Sequence, residues 1–177
     1  MPIEPNAKVH SPSQEHRDQA PTSLGVGIIT VSDTRTLDND GGGALIVQHM
    51  QAAGFLVADR RIVKDERASI QQAIREMLEL NTCDAVLLTG GTGVSQRDCT
   101  PEAVQPLLEV ELPGYGEIFR MISFQEIGAA AMLSRATAGR VGTKVVMTMP
   151  GSPAGVRLAL EKLIVPELAH LIHHARK

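Results

Sequence analysis

The densest set of chemically useful residues lies in one stretch. Thr89-Gly90-Gly91-Thr92-Gly93 runs on to Arg97-Asp98-Cys99 and then to Thr100-Pro101-Glu102-Ala103. Glycines at this density let a backbone approach a ligand closely. Free N–H groups in such a loop suit an anion such as a phosphate. Asp98 at the rim can hold a cation or take a proton. No Gly-Lys-Ser/Thr follows, and the spacing is not G-x-G-x-x-G, so this is neither a Walker loop nor a dinucleotide fingerprint. A tight turn that needs glycine for geometry alone would account for two glycines. Three glycines, two threonines, an acid and a capped helix favour a ligand loop.

Other segments carry similar residues. Ser32-Asp33-Thr34-Arg35 leads to Asp40-Gly41-Gly42-Gly43 and a helix start, a place that favours phosphate. Taken alone it also reads as a solvated turn with a good N-cap. Asp65 lies in Lys64-Asp65-Glu66-Arg67, and a charged run after a strand is usually only a solvated loop. Glu117 and Arg120 are three apart and can share a helix face. They read as a surface ion pair, or as Glu117 near a polar substrate and Arg120 near a phosphate. Met149-Pro150-Gly151-Ser152-Pro153 is a rigid turn that brings N–H groups and Ser152 to the same edge. Cys83 and Cys99 lack disulfide or metal spacing, and Cys99 reads as a half-buried filler. His170, His173 and His174 flank an apolar helix face of Leu168, Leu171, Ile172 and Ala175, so they read as exposed histidines rather than ligands.

Alternating strands and helices must position these loops. Strands are expected at Val26 to Val31, Phe55 to Val63, Ala85 to Leu88 and Val145 to Met149, with a short edge strand at Ala136 to Arg140. Helices are expected at Ala44 to Ala53 (closed by Gly54), Ala68 to Leu80, Pro101 to Leu108 (with a break at Pro106), Glu117 to Ala131, Pro153 to Ile164 and Pro166 to Ala175. Thr100 is expected to cap the third of these. The class is α/β, a mostly parallel sheet with helices on both faces in a three-layer sandwich. In such sheets ligands bind at the carboxyl ends of the strands.

Composition narrows the function. The chain has 177 residues, 43% of them hydrophobic, which suits one core and is short for two domains. Aromatics make up 2% and Trp is absent, so the core is aliphatic and stacking platforms for single-stranded nucleic acid are missing. A net charge of −3 gives no general attraction to nucleic acid or anionic membranes. No run approaches the ~20 apolar residues of a membrane span. A signal-peptide pattern is missing at the start, so a cytoplasmic protein is expected. Residues 1–23 are rich in Pro, Ser, Gln and charge and read as a disordered tail. A single domain is expected over 24–177.

Assembled, the motifs resemble the MoaB/Mog family of molybdenum cofactor biosynthesis, and MoaB most of all. Ser32-Asp33, Asp40 with Gly43, Thr89 through Gly93, Arg97-Asp98, Thr100-Pro101-Glu102-Ala103, Pro113-Gly114, Gly116-Glu117, Arg120, Ser134-Arg135-Ala136, Gly139 and Pro150-Gly151-Ser152-Pro153 fall in family order. The resemblance implies an α/β sandwich that binds molybdopterin and, in active members, Mg-ATP. Such members transfer AMP to the pterin's terminal phosphate and release pyrophosphate. It also implies a homotrimer or homohexamer and contact with the molybdenum insertase.

By the same resemblance Asp65 and Asp98 match the family's two key acids, as catalytic and Mg-binding residues. Two anions must meet in such a transfer, and Mg²⁺ favours one or two carboxylates plus substrate oxygens. The nucleotide and pterin contacts implied are Ser32, Asp33, Asp40, Gly43, Thr89 to Gly93, Glu117, Arg120 and Pro150 to Pro153. Many relatives carry Ser where this chain has Gly42, so one hydroxyl donor is missing there. The alternative is a catalytically silent molybdopterin- or nucleotide-binding carrier. A phosphate-ester hydrolase is weaker, because no His lies in a strand-end loop to activate water.

Overall fold

The computed structural model describes residues 24–177. The expected N-terminal tail lies outside the described residues. β1 (Gly25–Val31) is buried along its whole length, as a strand covered on both faces must be. Its side chains divide by parity between two cores. Val26 and Ile28 join Ile46, Met50, Val156, Leu160, Leu168 and Ile172 on one face. Ile29 and Val31 join Ile70, Ile74, Met77, Val86 and Leu88 on the other. Two cores on opposite faces of one sheet are the three-layer sandwich that the sequence leads one to expect.

The other strands are β2 (Leu56–Val63), β3 (Ala85–Thr89), β4 (Val110–Glu111), β5 (Ala138–Val141) and β6 (Lys144–Met149). They form one sheet in the order β2-β1-β3-β6-β5-β4. β2, β1, β3 and β6 are parallel, while β5 and β4 add antiparallel. The helices are α1 (Gly41–Ala52), α2 (Arg67–Glu79), α3 (Thr100–Val104), α4 (Pro113–Ile127), α5 (Pro153–Ala159) and α6 (Val165–Ala175). α2 and α3 cover one face, and the others cover the opposite face. Among the described residues no helix is long and apolar enough to cross a membrane.

Several expectations need correcting. β4 has only two residues, too few for a period to show, and it displaces β5 from the sheet edge. α1 starts at Gly41 rather than Ala44, because the Asp40 carboxylate caps it through the Gly43 N–H. Thr100 does not cap α3. The cap position is Cys99, without a side-chain bond, and the Thr100 hydroxyl instead donates to the Gly90 carbonyl at 2.9 Å. Pro106 lacks an N–H and turns the end of α3 into a 3₁₀ turn, Gln105–Leu107. α4 begins at Pro113 and stops before Gly128, whose φ is +62°. A 3₁₀ turn, Gly128–Leu133, follows it. The last two helices run on through a π turn, Leu160–Ile164, just before Pro166. A wider turn relieves the clash of a proline ring with the preceding turn of helix. His170 and His173 are half-buried rather than exposed, and their rings pack edge-on against His174.

Candidate ligand site at the strand carboxyl ends

β1, β3 and β6 end side by side, and their loops converge. The glycine loop leaves β3 beside the Pro150–Pro153 turn that leaves β6, and the Gly90 N–H donates to the Met149 carbonyl at 3.2 Å. Gly90 has φ +100° and Gly91 has φ +62°, conformations that favour glycine. A side chain at 90 would run into the Val31 carbonyl, and one at 91 into the Thr100 hydroxyl. A Cβ on Gly151 would lie 3.3 Å from the Gly90 Cα. Backbone therefore meets backbone here, and cavities open on either side.

The larger cavity has a volume of about 420 Å³. One wall is Gly90 to Gly93 with Asp98, and a second is Pro150 to Ser152 with Ala154 and Gly155. The third comes from α4 and its 3₁₀ turn, chiefly Phe119, Ser123, Ile127, Leu133 and Ser134. Ser123 is 4% exposed and Thr92 is 3% exposed. Both residues line this cavity, within a ligand's reach. A mostly apolar slot with two hydroxyl-bearing residues in its wall suits a flat, polar-edged ring.

The smaller cavity, about 240 Å³, lies at the start of α1. Its wall includes Ser32, Arg35, Gly41, Gly42, Gly90, Gly151 and Pro153. A helix N-terminus and an arginine there favour an anion. The two cavities share Gly90 and Gly151.

Not every expected contact residue is free. Asp40 is buried and accepts from Gly43 N–H at 2.9 Å, the Thr30 hydroxyl at 2.7 Å and Arg60 at 2.9 Å. Burial alone would raise its pKa. The bonds from Arg60, Gly43 and Thr30 outweigh that and hold the carboxyl below its ordinary value. Asp40 and the Gly43 N–H are thus committed to the fold. The Thr89 hydroxyl is likewise spent, donating to the Pro150 carbonyl at 2.8 Å. Ser32 Oγ accepts from the N–H groups of Thr34 and Arg35, and Ser152 Oγ accepts from Gly155 N–H as the α5 cap. Glu117 and Arg120 line a separate cleft with Glu102 and Arg135, not the glycine-loop cavities.

The acids approach the glycine loop at different points. A Cβ on Gly91 would lie 2.9 Å from Asp65 Oδ2, and one on Gly93 2.8 Å from Asp98 Oδ2. Asp98 lines the larger cavity. Asp65 stands behind Gly91 and lines neither cavity. Its Oδ1 accepts from both the N–H and the thiol of Cys99 at 3.2 Å. Burial, and then the bond to Asp65, push the Cys99 thiol up to about 11, so it stays protonated and donates. Asp98 Oδ2 accepts from Ser95 N–H at 2.8 Å. Among the described residues, each acid therefore keeps one carboxylate oxygen without a protein hydrogen bond. Asp33 pairs with Arg97, which lowers its pKa, and Asp33 Oδ1 accepts from Asp65 N–H at 3.2 Å. Asp33 thus ties three loops together.

The wall from α4 went unpredicted. Tyr115, Phe119, Ser123 and Ile127 follow at intervals of four. A serine inside that stripe was the signal, since a polar group on a buried helix face needs a partner. Arg135, just after Ser134, was also not assigned a role.

A doubly covered, mainly parallel sheet with a glycine-lined pocket at its strand ends defines an α/β protein of the class whose ligand sites lie at the strand carboxyl ends. The chain belongs to the family described as a probable molybdopterin binding domain, whose model matches residues 27–170. It is 48% identical over 165 residues to molybdenum cofactor biosynthesis protein B of Bacillus subtilis (strain 168), covering 93% of this chain and 97% of that protein. A crystal structure of a molybdenum cofactor biosynthesis protein B superposes with a TM-score of 0.86 at 49% identity, covering 89% of this chain and 98% of that one. The tungsten cofactor synthesizing protein MoaB from Pyrococcus furiosus superposes with a TM-score of 0.81 at 37% identity, covering 89% and 100%. These relatives place the chain among molybdenum cofactor biosynthesis proteins of the B type.

Proposed function

We propose that the protein binds molybdopterin and Mg-ATP and transfers AMP to the pterin's terminal phosphate. A phosphate oxygen attacks the α-phosphorus of ATP, the α–β P–O bond breaks, and pyrophosphate leaves. The observation that carries this reading is the pair of cavities meeting at the Gly90–Gly151 bridge. The apolar one, with the Ser123 and Thr92 hydroxyls, suits a heterocyclic ring. The polar one suits phosphates. Two ligands seated there would bring their reacting ends together at the bridge, and that positioning is most of what phosphoryl-type transfer asks of a protein.

The acids fit Mg²⁺. Asp65 and Asp98 each offer one oxygen without a protein hydrogen bond, which suits a cation that takes one or two carboxylates and otherwise substrate oxygens and water. When bound, the cation would neutralise charge between the two anions. The chain's own work is orientation: Cys99 holds Asp65, Ser95 holds Asp98, and the loop glycines admit the ligand to the backbone. A nucleophile already ionised at neutral pH needs no general base.

The reading includes a homotrimer or homohexamer, a cytoplasmic location and contact with the molybdenum insertase. α4 and its 3₁₀ turn leave Ile118, Met121, Phe124, Ile127, Met132 and Leu133 exposed, more apolar surface than a monomer ordinarily shows on one element. Sedimentation equilibrium should return three or six times the chain mass, and a monomer would remove this part.

The direct test is incubation with Mg-ATP and molybdopterin, followed by detection of adenylylated pterin and pyrophosphate. No product with the pterin still bound would favour a carrier. Gly42→Ser then becomes informative. A Cβ at 42 meets nothing closer than 3.7 Å, so the melting temperature should stay within about 2 °C. The added hydroxyl faces the smaller cavity and should tighten ATP severalfold. Unchanged affinity would show that no ligand oxygen lies there.

A further inference from the structure

We infer that Arg135 is a positioning residue that buckles the glycine loop closed and holds Asp98 at the cavity rim. The guanidinium spans the two ends of the exposed segment that carries the acid. Its Nε donates to the Gly93 carbonyl at 2.7 Å and its Nη2 to the Asp98 carbonyl at 2.9 Å. Its Nη1 pairs with Glu102 on α3. Its backbone N–H donates to the Thr92 carbonyl at 3.0 Å. One residue thus grips the loop before, at and after its turn.

Beyond Arg135, the segment is tied to a neighbouring loop by the Arg97–Asp33 pair, which is exposed and, as surface pairs are, weak. Val94 to Arg97 are exposed, and Val94 is 65% exposed. Within the segment, the Asp98 carboxylate accepts from Ser95 N–H, and Asp98 N–H donates to the Ser95 carbonyl at 3.0 Å. Those bonds shape the turn but do not join it to another element. Arg135 anchors it to α3 through Glu102, and to the α4 wall through the adjoining Ser134, which lines the larger cavity. The fork geometry needs arginine. A lysine ammonium is a point donor and cannot reach two carbonyls and a carboxylate in one plane.

The role rests on the proposed transfer reaction, but its first readout does not. In the ligand-free whole protein, Arg135→Ala should speed amide hydrogen exchange in residues 93–98 by about tenfold or more, with β1 and β3 unchanged. Methylguanidinium added to Arg135→Ala should restore much of that protection. Arg135→Lys, the variant that keeps charge and stem, should recover little. In the transfer assay, the Mg²⁺ concentration for half-maximal rate should rise about tenfold in both variants, while pterin affinity changes less. Methylguanidinium should lower it again in Arg135→Ala. Unchanged exchange in both variants would overturn the proposal. So would a loosened loop with an unmoved Mg²⁺ midpoint. If the wild-type protein transfers no AMP, the proposed function fails by itself, and the clamp stands or falls on exchange and its rescue.

Discussion

Asp65→Asn is expected to slow adenylyl transfer by about 10²–10³-fold while leaving pterin affinity within about threefold. The substitution keeps the shape of the site. Asn Oδ1 can still accept from the Cys99 N–H and thiol, the two donors that fix the native Oδ1. Cys99 remains a donor because its thiol, raised to about 11 by burial and by the bond to Asp65, is protonated at neutral pH. Only the charge at Oδ2 is lost. An electrostatic contribution of about 3–4 kcal/mol at a developing phosphoryl charge corresponds to that rate loss. Pterin binding is spared because Asp65 stands behind Gly91, outside the wall of the larger cavity. Pyrophosphate release and mass analysis of the pterin measure the first quantity, and pterin fluorescence titration the second. Normal turnover in the variant would remove Asp65 from the chemistry. A comparable loss of affinity would instead make it a binding residue.

Asp40→Ala should destabilise the domain by about 3 kcal/mol, a fall in melting temperature of roughly 8 °C. The change removes the α1 cap, about 1 kcal/mol, and leaves Arg60 and Thr30 without their buried acceptor. Arg60 keeps its bond to the Asp40 carbonyl at 3.1 Å and is partly exposed, so the cost stays at the low end for a broken buried pair. The acid limb carries a second signature. The folded carboxyl titrates below its unfolded value, so the unfolded chain takes up the proton first as pH falls. Asp40's contribution is full above the unfolded value of about 3.9 and fades as pH drops through the folded one. Urea melts of wild type and Asp40→Ala should therefore converge toward pH 3 and separate at pH 6. A gap of constant size would show that the charge is immaterial. Asp40→Asn, which keeps a capping side chain, should fall between the two.

How much of this was legible depended on the reach of each signal. β1, β3 and β6 are short apolar runs with turn residues behind them, and the sequence reads them to within a residue or two. α2 is equally plain, with Ile70, Ile74 and Met77 on one face. β4 escaped because two residues carry no period, and its place at the sheet edge depends on pairing with β5. The glycine loop and Asp98 were legible as a motif, whereas Asp65 sits in a run that reads as a solvated loop and was singled out only by the family resemblance. The α4 wall left only a faint mark, Ser123 inside a stripe of apolar residues at intervals of four, and its meaning emerges once Phe119 and Ile127 are seen lining the same cavity.

By itself the sequence determined the three-layer sheet, the strand-end loops and the family. These follow from alternation, helical spacing, glycine runs and motif order, all of which are local or colinear. Tertiary structure alone decided which polar groups are spent and which are open. It committed Asp40, Thr89 and the Gly43 N–H to the fold. It placed Ser123, Thr92 and Asp98 in the wall of a cavity. It also carried the Arg135 guanidinium to carbonyls about 40 residues away in the chain. The reason is physical: a buried donor or acceptor is satisfied by whatever the folded chain brings near, and that partner leaves no mark on the residues beside it in sequence.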